Sequence, residues 1–410
     1  MRFAVISISY DGVISHYCGV GTIAYNMSIA IDKINHISKN KMDYFIISSA
    51  NNKNCLGYSG EIKRIQENIV KKNNGKIFFI GKKQKNQWGD INKWKEDTKE
   101  IEKIISNLSP NYKKVLIFLH DVPFLRVAKI CLKRLKNVFF VWIPHGTGEL
   151  HGKDSLDRKL RIKWEKENLV NNPRFRVAYV SNYMKKHMKE KYFVKEKQLI
   201  ELKNGLIIED KQKKIKNPLI KLIPKNKKLI LCFGRSEPYK NLGSLLKVIR
   251  YLDNKTFMII IASNKTSHNP ENIKLKQESL KYDNCLVIPH YISQKYIKNL
   301  LGKFSFLVIV PSKKEPFGMI PSEVRLWGKK NNSLVLVAQR GGLTEQVIDG
   351  KNGFLIHSFN PKKFSEQINQ IFSKDKNERR KIAQEGYKFV KENYNYTKNL
   401  KNLINTFFYI

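Results

Sequence analysis

FLVIVPSKKEPFGMIPSEVRLWGKKNNSLVLVAQRGGLTEQVIDGKNG, residues Phe306–Gly353, is the stretch whose reading decides the fold. It opens on the apolar run Phe306–Val310, passes through a polar loop and a helix-length segment containing Glu323, and reaches a second apolar run, Leu334–Ala338. Continuous apolar runs of this length, separated by helix-length segments, suit parallel strands buried on both faces. The alternation extends outward. Towards the amino terminus lie Leu229–Phe233, Phe257–Ala262 and Cys285–Ile288. Before them come Phe3–Ile8, Tyr44–Ile47, Lys76–Ile80, Val115–Leu119, Val138–Ile143 and Arg176–Val180. Between the two series, Lys211–Lys228 carries two prolines and little periodicity, as a linker would. The expected fold is α/β, two doubly wound Rossmann-like domains hinged near residue 210. Ligands of open parallel sheets bind beyond the carboxyl ends of the strands, so the two domains are expected to face one cleft.

A chain of 410 residues with 41% hydrophobic side chains has enough apolar matter for two or three cores, which excludes global disorder. Lys+Arg minus Asp+Glu is 77 − 35 = +42. Residues 1–200 contribute 38 − 18 = +20 and residues 201–410 contribute 39 − 17 = +22, so the charge is not held in a tail. Two readings stay open: a compositional habit rich in Lys and Asn, or attraction of phosphates, nucleic acid or anionic lipid. Nucleic acid is not expected, because no reading module accompanies the charge. Five cysteines without CxxC spacing argue against a zinc ribbon or a disulfide framework and suit a reducing compartment. The apolar runs are too short for a membrane span, and the start is too short for a signal-peptide core. The expected location is cytoplasmic, with peripheral attachment to the inner face of the cell membrane kept open.

Residues bearing chemistry gather where strands end. Glu315 follows the run Phe306–Val310, and Pro316-Phe317-Gly318 turns into the segment containing Glu323. The N–H groups of Gly318, Met319 and Ile320 sit at a helix start, where an anion is favoured. A carboxylate such as Glu323 can accept two hydrogen bonds from a vicinal diol such as ribose. Taken singly, Glu315 reads as a solvated loop acid and Glu323 as a surface helix acid. Gly234-Arg235-Ser236-Glu237-Pro238-Tyr239-Lys240 follows another run, and Arg235 with Lys240 can grip a diphosphate. Near the amino terminus Gly19-Val20-Gly21 is separated from its strand by Ser9–Cys18, a spacing that disfavours a dinucleotide fingerprint. His145 directly follows the run Val138–Ile143 among small residues. His120-Asp121 ends Val115–Leu119, where a structural strand-end pair is an equally good reading.

The Glu315-x7-Glu323 spacing around E-P-F-G, followed by Gly341-Gly342-x-x-Glu345, resembles the retaining glycosyltransferases of the GT-B fold, family 4 (glycosyl transferases group 1). The resemblance is strong through residues 228–355 and thin through 1–210. It implies an acceptor domain at 1–210, a nucleotide-sugar donor domain at 211–390, and a C-terminal helix at 391–410 packing back on the first domain. It also implies roles for particular residues. Arg235 and Lys240 would hold the diphosphate beside Gly234, and Glu323 would bind the ribose. Glu315 and the backbone at Phe317, Gly318 and Met319 would orient the donor sugar, with Ile320 and Ile288 on the donor side. His145 and the Gly19–Gly21 loop would close around the anomeric carbon, and His120-Asp121 would face the acceptor. The catalytic set is then His145, Glu315, Arg235 and Lys240, in a front-face retaining step where the leaving phosphate takes the acceptor's proton. UDP is the expected carrier, since uridine is the commoner choice in that family.

The sequence contains no Asp-x-Asp pair, so no metal and no cofactor is expected, and basic side chains would neutralise the departing diphosphate. The chain departs from the resembling pattern in Val324–Val337, VRLWGKKNNSLVLV, which is longer than usual and lacks the G-x-P-V proline. Acceptor classes left open are a saccharide, a lipid-linked saccharide and a small molecule. The stretches Lys129–Phe140, with Lys129, Lys133 and Lys136 at helical spacing, and Tyr183–Lys197 read either as basic amphipathic helices on anionic lipid or as solvated faces. Two rival functions remain: a non-enzymatic binder of anionic membrane or polymer, and a GT-B sugar-phosphate synthase or phosphorylase.

Overall fold

A computed structural model describes residues 2–15, 19–49, 57–81, 90–150, 156–208, 215–263 and 269–408. The chain forms two compact units, Met1–Ile207 with Tyr396–Ile410, and Ile208–Asn395.

The first unit begins β1 (Phe3–Ile8), α1 (Gly19–Ile37), β2 (Met42–Ser49), α2 (Gly60–Lys72), β3 (Ile77–Ile80), α3 (Ile91–Leu108). It continues β4 (Lys114–His120), α4 (Leu125–Arg134), β5 (Val138–Ile143), α5 (Leu156–Asn168), β6 (Phe175–Tyr179), α6 (Asn182–Tyr192), β7 (Leu199–Glu201). The strands are parallel in the order β3-β2-β1-β4-β5-β6-β7. Leu116, Ile117 and Phe118 of the central strand are fully buried, as a strand covered on both faces requires. The order reverses between β1 and β4, so the carboxyl ends of those two strands border the crevice where such sheets bind ligands. His120 closes β4 opposite Ile143 of β5.

The second unit runs β8 (Lys228–Arg235), α7 (Gly243–Ile249), β9 (Thr256–Ser263), α8 (Pro270–Ser279), β10 (Cys285–Ile288), α9 (Gln294–Leu301). Then follow β11 (Leu307–Val310), α10 (Ile320–Trp327), β12 (Leu334–Ala338), β13 (Phe354–Ile356), α11 (Pro361–Ser373) and α12 (Lys376–Asn393). Its parallel order is β10-β9-β8-β11-β12-β13, reversing between β8 and β11. A last helix, α13 (Tyr396–Asn405), belongs to the first unit. There Phe408 stacks on Phe3 with ring centroids 4.8 Å apart, and Lys114 Nζ donates to the Phe407 carbonyl at 3.2 Å. The boundary set at 390/391 falls instead between Asn395 and Tyr396, because residues 391–393 complete α12.

Each apolar run named above is a strand; β7 and β13, three residues each, were too short to show a pattern. The linker reading needs correction. Residues 211–214 lie outside the described residues, but Pro218–Leu222 forms a 3-10 turn capped by Asn217. Asn217 Nδ2 also donates to the Tyr296 carbonyl at 2.9 Å, and Leu219 is buried, so this part is packed on α9. The basic stretches are corrected too. α4 ends at Arg134, leaving Lys136 beyond it and Val138–Phe140 in β5. α6 stops at Tyr192, where Phe193 takes φ +53°. Val127, Ala128 and Cys131 of α4, like Met184 and Met188 of α6, are fully buried, so the apolar sides of both helices belong to the protein's own core. Cys131, Cys232 and Cys285 are free thiols; Cys18 and Cys55 lie outside the described residues. Among the described residues no helix is long and apolar enough to cross a membrane.

Candidate active site

In the second unit the reversal between β8 and β11 sets two loops side by side. Lys313 N–H donates to the Tyr239 carbonyl (2.7 Å) and Asn241 Nδ2 to that of Pro311 (3.3 Å), stitching the loops together. Across this seam Lys240 Nζ meets Glu315 Oε1 at 2.5 Å, their side chains 15% and 7% exposed. Glu315 is therefore a buried, paired carboxylate and not the solvated loop acid of the single-residue reading. Arg235 lies on the same loop as Lys240. Its Nη2 donates to the Tyr239 hydroxyl at 2.8 Å and its Nη1 stands 3.7 Å from Glu237 Oε1, with 40% of the side chain exposed.

Glu323 projects from α10 and is likewise buried, correcting its reading as a surface acid. Gln294, at the start of α9, donates from Nε2 to Glu323 Oε1 at 2.8 Å. Burial pushes this carboxyl up to about 7, opposed by the Gln294 hydrogen bond and the Lys240 charge. Thus Arg235, Lys240, Glu315 and Glu323 share one end of the second sheet. Ile288 closes edge strand β10 with its side chain buried, and beyond it Gln294 reaches Glu323 from the β10 side. Phe317 also turns inward, its buried ring packing edge-on against Tyr394 at 5.1 Å, so only its backbone serves the loop. A side chain at Gly234 would meet nothing nearer than Ile320 at 3.8 Å, which leaves room beside Arg235.

The turn from Glu315 into α10 is held from beneath by Gln346, fully buried. Its Nε2 donates to the carbonyls of Phe317 (2.7 Å) and Gly318 (2.8 Å), while its Oε1 accepts from Ser322 Oγ (2.9 Å). A carbonyl and the next N–H point opposite ways across a trans peptide. With both carbonyls drawn inward, the N–H groups of Gly318 and Met319 point away from the core, as an anion site at a helix start needs. Arg325, also buried, donates to the Gln346 carbonyl at 2.7 Å and the Asn352 carbonyl at 2.8 Å. The Gly341-Gly342 pair works on the backbone. Gly341 has φ +57°, and a Cβ there would lie 2.2 Å from the Glu315 carbonyl oxygen, to which Gly342 N–H donates at 2.9 Å. The pair lets the loop carrying Glu315 settle against the chain after β12.

In the first unit His120 and His145 form a pair, Nδ1 to Nε2 at 3.1 Å, with their rings parallel to within 5°. Burial holds His145 down to about 3, and burial followed by the His145 neighbour holds His120 well below its ordinary value. Both are neutral at pH 7, so one ring donates and the other accepts. His120 Nε2 is buried without a partner among the described residues. The loop bearing His145 is clamped from below: Arg161 Nη2 donates to the Gly146 carbonyl (3.1 Å), and Gly148 N–H to both oxygens of Glu165 (2.9 and 3.1 Å). Glu165 also accepts from Arg161 Nε and the Tyr192 hydroxyl. Asp121, at φ +68°, accepts from Val122 N–H at 2.9 Å and pairs with Arg161 at 3.5 Å. Through Arg161, Asp121 braces the His145 loop. Gly21 packs on the β1–α1 loop, 3.0 Å from Asp11 Cβ were it to carry a side chain, whereas Gly19 borders open space.

Residues 196–389 match the profile of the glycosyl transferases group 1 family. Over these residues the chain is similar to the group 1 glycosyl transferases. The chain is 29% identical over 256 residues to an uncharacterized glycosyltransferase of Methanocaldococcus jannaschii, covering 61% of this chain and 64% of that one. It is 24% identical over 189 residues to spore coat protein SA of Bacillus subtilis, covering 44% and 48%. The matches thus span less than two thirds of either relative's length. Among solved structures, sucrose-phosphate synthase of Thermosynechococcus elongatus superposes with a TM-score of 0.73 at 15% identity, over 99% of both chains. The Anabaena protein HepE, in complex with UDP and glucose, gives 0.70 at 14%, again over 99% of both. Identities this low speak to fold, and that fold is GT-B, with two Rossmann-like domains.

Within the matched residues the departure at Val324–Val337 takes a simple form. α10 ends at Trp327, a 3-10 turn occupies Lys329–Asn331, and Asn332 at φ +54° turns the chain into β12. Glu323 stands one turn inside α10 and is untouched by the insertion. Three residues escaped the sequence reading. Gln294 was signalled only by its place after a strand, Gln346 by its position next to Glu345, and Arg325 by nothing, since a buried arginine looks like any other among 77 cations. Among the described residues no cluster of three His, Cys, Asp or Glu side chains could hold a metal ion.

Proposed function

We propose that the chain is a retaining, metal-independent glycosyltransferase that takes a nucleoside diphosphate sugar on its second unit, with UDP as the carrier. The sugar passes to the hydroxyl of a saccharide, a lipid-linked saccharide or a small molecule. The observation that carries this reading is the grouping of Arg235 and the Lys240–Glu315 pair with buried Glu323 at the sheet's reversal point. Arg235 and Lys240 neutralise the diphosphate as it leaves, a task metal ions perform in other sites. Glu323, fixed by Gln294, accepts from the ribose hydroxyls. Glu315, held by Lys240, and the outward N–H groups of Gly318 and Met319 orient the sugar. The bond from the anomeric carbon to the phosphate oxygen breaks, the bond to the acceptor oxygen forms on the same face, and the acceptor proton goes to the departing phosphate. His145 contributes as a neutral imidazole.

The test is turnover of UDP-sugars by the full chain with EDTA present, scanning hydroxyl acceptors and reading the anomeric configuration of the product by NMR. Acceptor-dependent release of UDP with retention, lost in Glu315→Gln, supports the proposal. Turnover that needs inorganic phosphate instead of a hydroxyl acceptor would make the enzyme a phosphorylase. Inversion, or loss of activity in EDTA, would overturn the mechanism.

A further inference from the structure

The outer surface of the first unit holds a groove of about 570 Å³ between α3, α4 and α5. Its floor is Trp164, buried and fixed by an Nε1–H hydrogen bond to the Val122 carbonyl at 3.2 Å. Five cations line it, Lys95, Arg126, Lys129, Lys133 and Lys163, against the single carboxylate of Glu167. Some of that charge is already used: Lys129 Nζ donates to the Glu167 carbonyl at 2.7 Å and Lys163 stands 3.8 Å from the Glu167 carboxylate. Lys95 and Lys133 are exposed and have no ion-pair partner among the described residues. Ile91, Ile130 and Leu160 also line the groove, Leu160 with 41% of its surface open to solvent. Unlike the inward faces of α4 and α6, these apolar groups are not taken up by the core.

We infer that this groove docks the chain on an anionic phospholipid surface, with headgroup phosphates among the lysines and Leu160, Ile130 and Ile91 entering the interface. A small soluble anion would satisfy the cations but gain nothing from the aliphatic side chains, whereas a lipid headgroup region offers phosphate and hydrocarbon together. The inference goes beyond the proposed reaction and stands apart from it, since docking is measured without donor, acceptor or turnover.

The test is co-sedimentation of the full chain with phosphatidylcholine vesicles containing 30% phosphatidylglycerol or none. Three proteins are compared: wild type, a groove variant (Lys95→Gln, Lys133→Gln, Lys163→Gln), and a control with three exposed lysines removed from the second unit (Lys362→Gln, Lys376→Gln, Lys381→Gln). Each lysine close to such a surface contributes roughly fivefold in partitioning, so the groove variant should lose about hundredfold and the control little. Leu160→Asn, with every charge kept, should also weaken binding. Thermal melts check that the variants fold, which surface lysine changes permit. Equal losses in groove and control variants would show diffuse attraction by the +42 charge and overturn the inference. So would binding to neutral vesicles. Stabilisation by inorganic polyphosphate that the groove variant abolishes, without vesicle binding, would give the groove to a soluble polyanion and overturn the lipid assignment.

Discussion

Glu323→Gln should make the protein more stable and a poorer binder of nucleotide, with the stability gain depending on pH. The carboxyl titrates at about 7 in the fold against an ordinary 4.5. As pH rises from 4.5 to 7 the unfolded chain loses this proton while the fold keeps it, so the residue progressively weakens the fold and reaches its full effect above pH 7. The difference, 7 − 4.5, is worth about 3 kcal/mol at 1.36 kcal/mol per pH unit. Glutamine removes the buried charge yet still accepts from Gln294 Nε2. The variant should therefore gain up to about 3 kcal/mol at pH 8 and nothing below pH 4.5. For a unit of this size that is a rise in melting temperature of roughly 6–12 °C. A diol hydroxyl's hydrogen bond contributes roughly 1.5–3 kcal/mol to a carboxylate and roughly 0.5–1.5 kcal/mol to a neutral amide, so with two such bonds the Kd for nucleotide should rise about 10- to 100-fold. Calorimetric melts at pH 4.5, 6 and 8, with titration of UDP at pH 8, measure both. A variant that melts lower at pH 8, or whose gain is the same at every pH, would refute the reasoning.

Other outcomes follow from the same geometry. Lys240→Ala leaves the Glu315 carboxylate buried without its cation and should destabilise the second unit by roughly 3–5 kcal/mol in chemical denaturation, whereas Lys240→Met with Glu315→Leu should recover most of that loss. His145, held down to about 3, adds stability that is complete above its ordinary 6.5 and lost as pH falls towards 3. His145→Gln should therefore flatten the acid limb of the melting curve between pH 6.5 and 4, and wild-type turnover should show no titration near 6.5 from this group. Arg325→Met removes donors to two buried carbonyls and should cost about 3 kcal/mol or more by thermal melt. An Arg325→Met melt within 1 kcal/mol of wild type would mean those carbonyls find other partners.

Much of this architecture was legible in the chain because a parallel sheet covered on both faces writes itself as short apolar runs, as in Val115–Leu119 and Phe306–Val310. Strands of three residues leave no such trace, which is why β7 and β13 went unseen. The acids of the site were legible through their spacing, since Glu315 on a loop and Glu323 one helical turn into α10 must lie on the same sheet end. Their burial was not, because it depends on Lys240 and Gln294, which come from separate elements 75 and 29 residues away. The brace under His145 was hidden for the same reason: Asp121, Arg161, Glu165 and Tyr192 meet only once three strands are side by side. Basic amphipathic stretches misled for a different reason. Lysine at helical spacing continues past the point where α4 ends at Arg134, so composition ran on while structure changed.

The central claim, a nucleoside diphosphate site built on Arg235, Lys240, Glu315 and Glu323, is tested most directly by isothermal titration of the full chain with UDP in EDTA. The account predicts one saturable site, weakened at least tenfold by Arg235→Ala and again by Glu323→Gln, with GDP and ADP binding less tightly. Absence of binding by all three nucleotides, or binding that neither substitution changes, would contradict it.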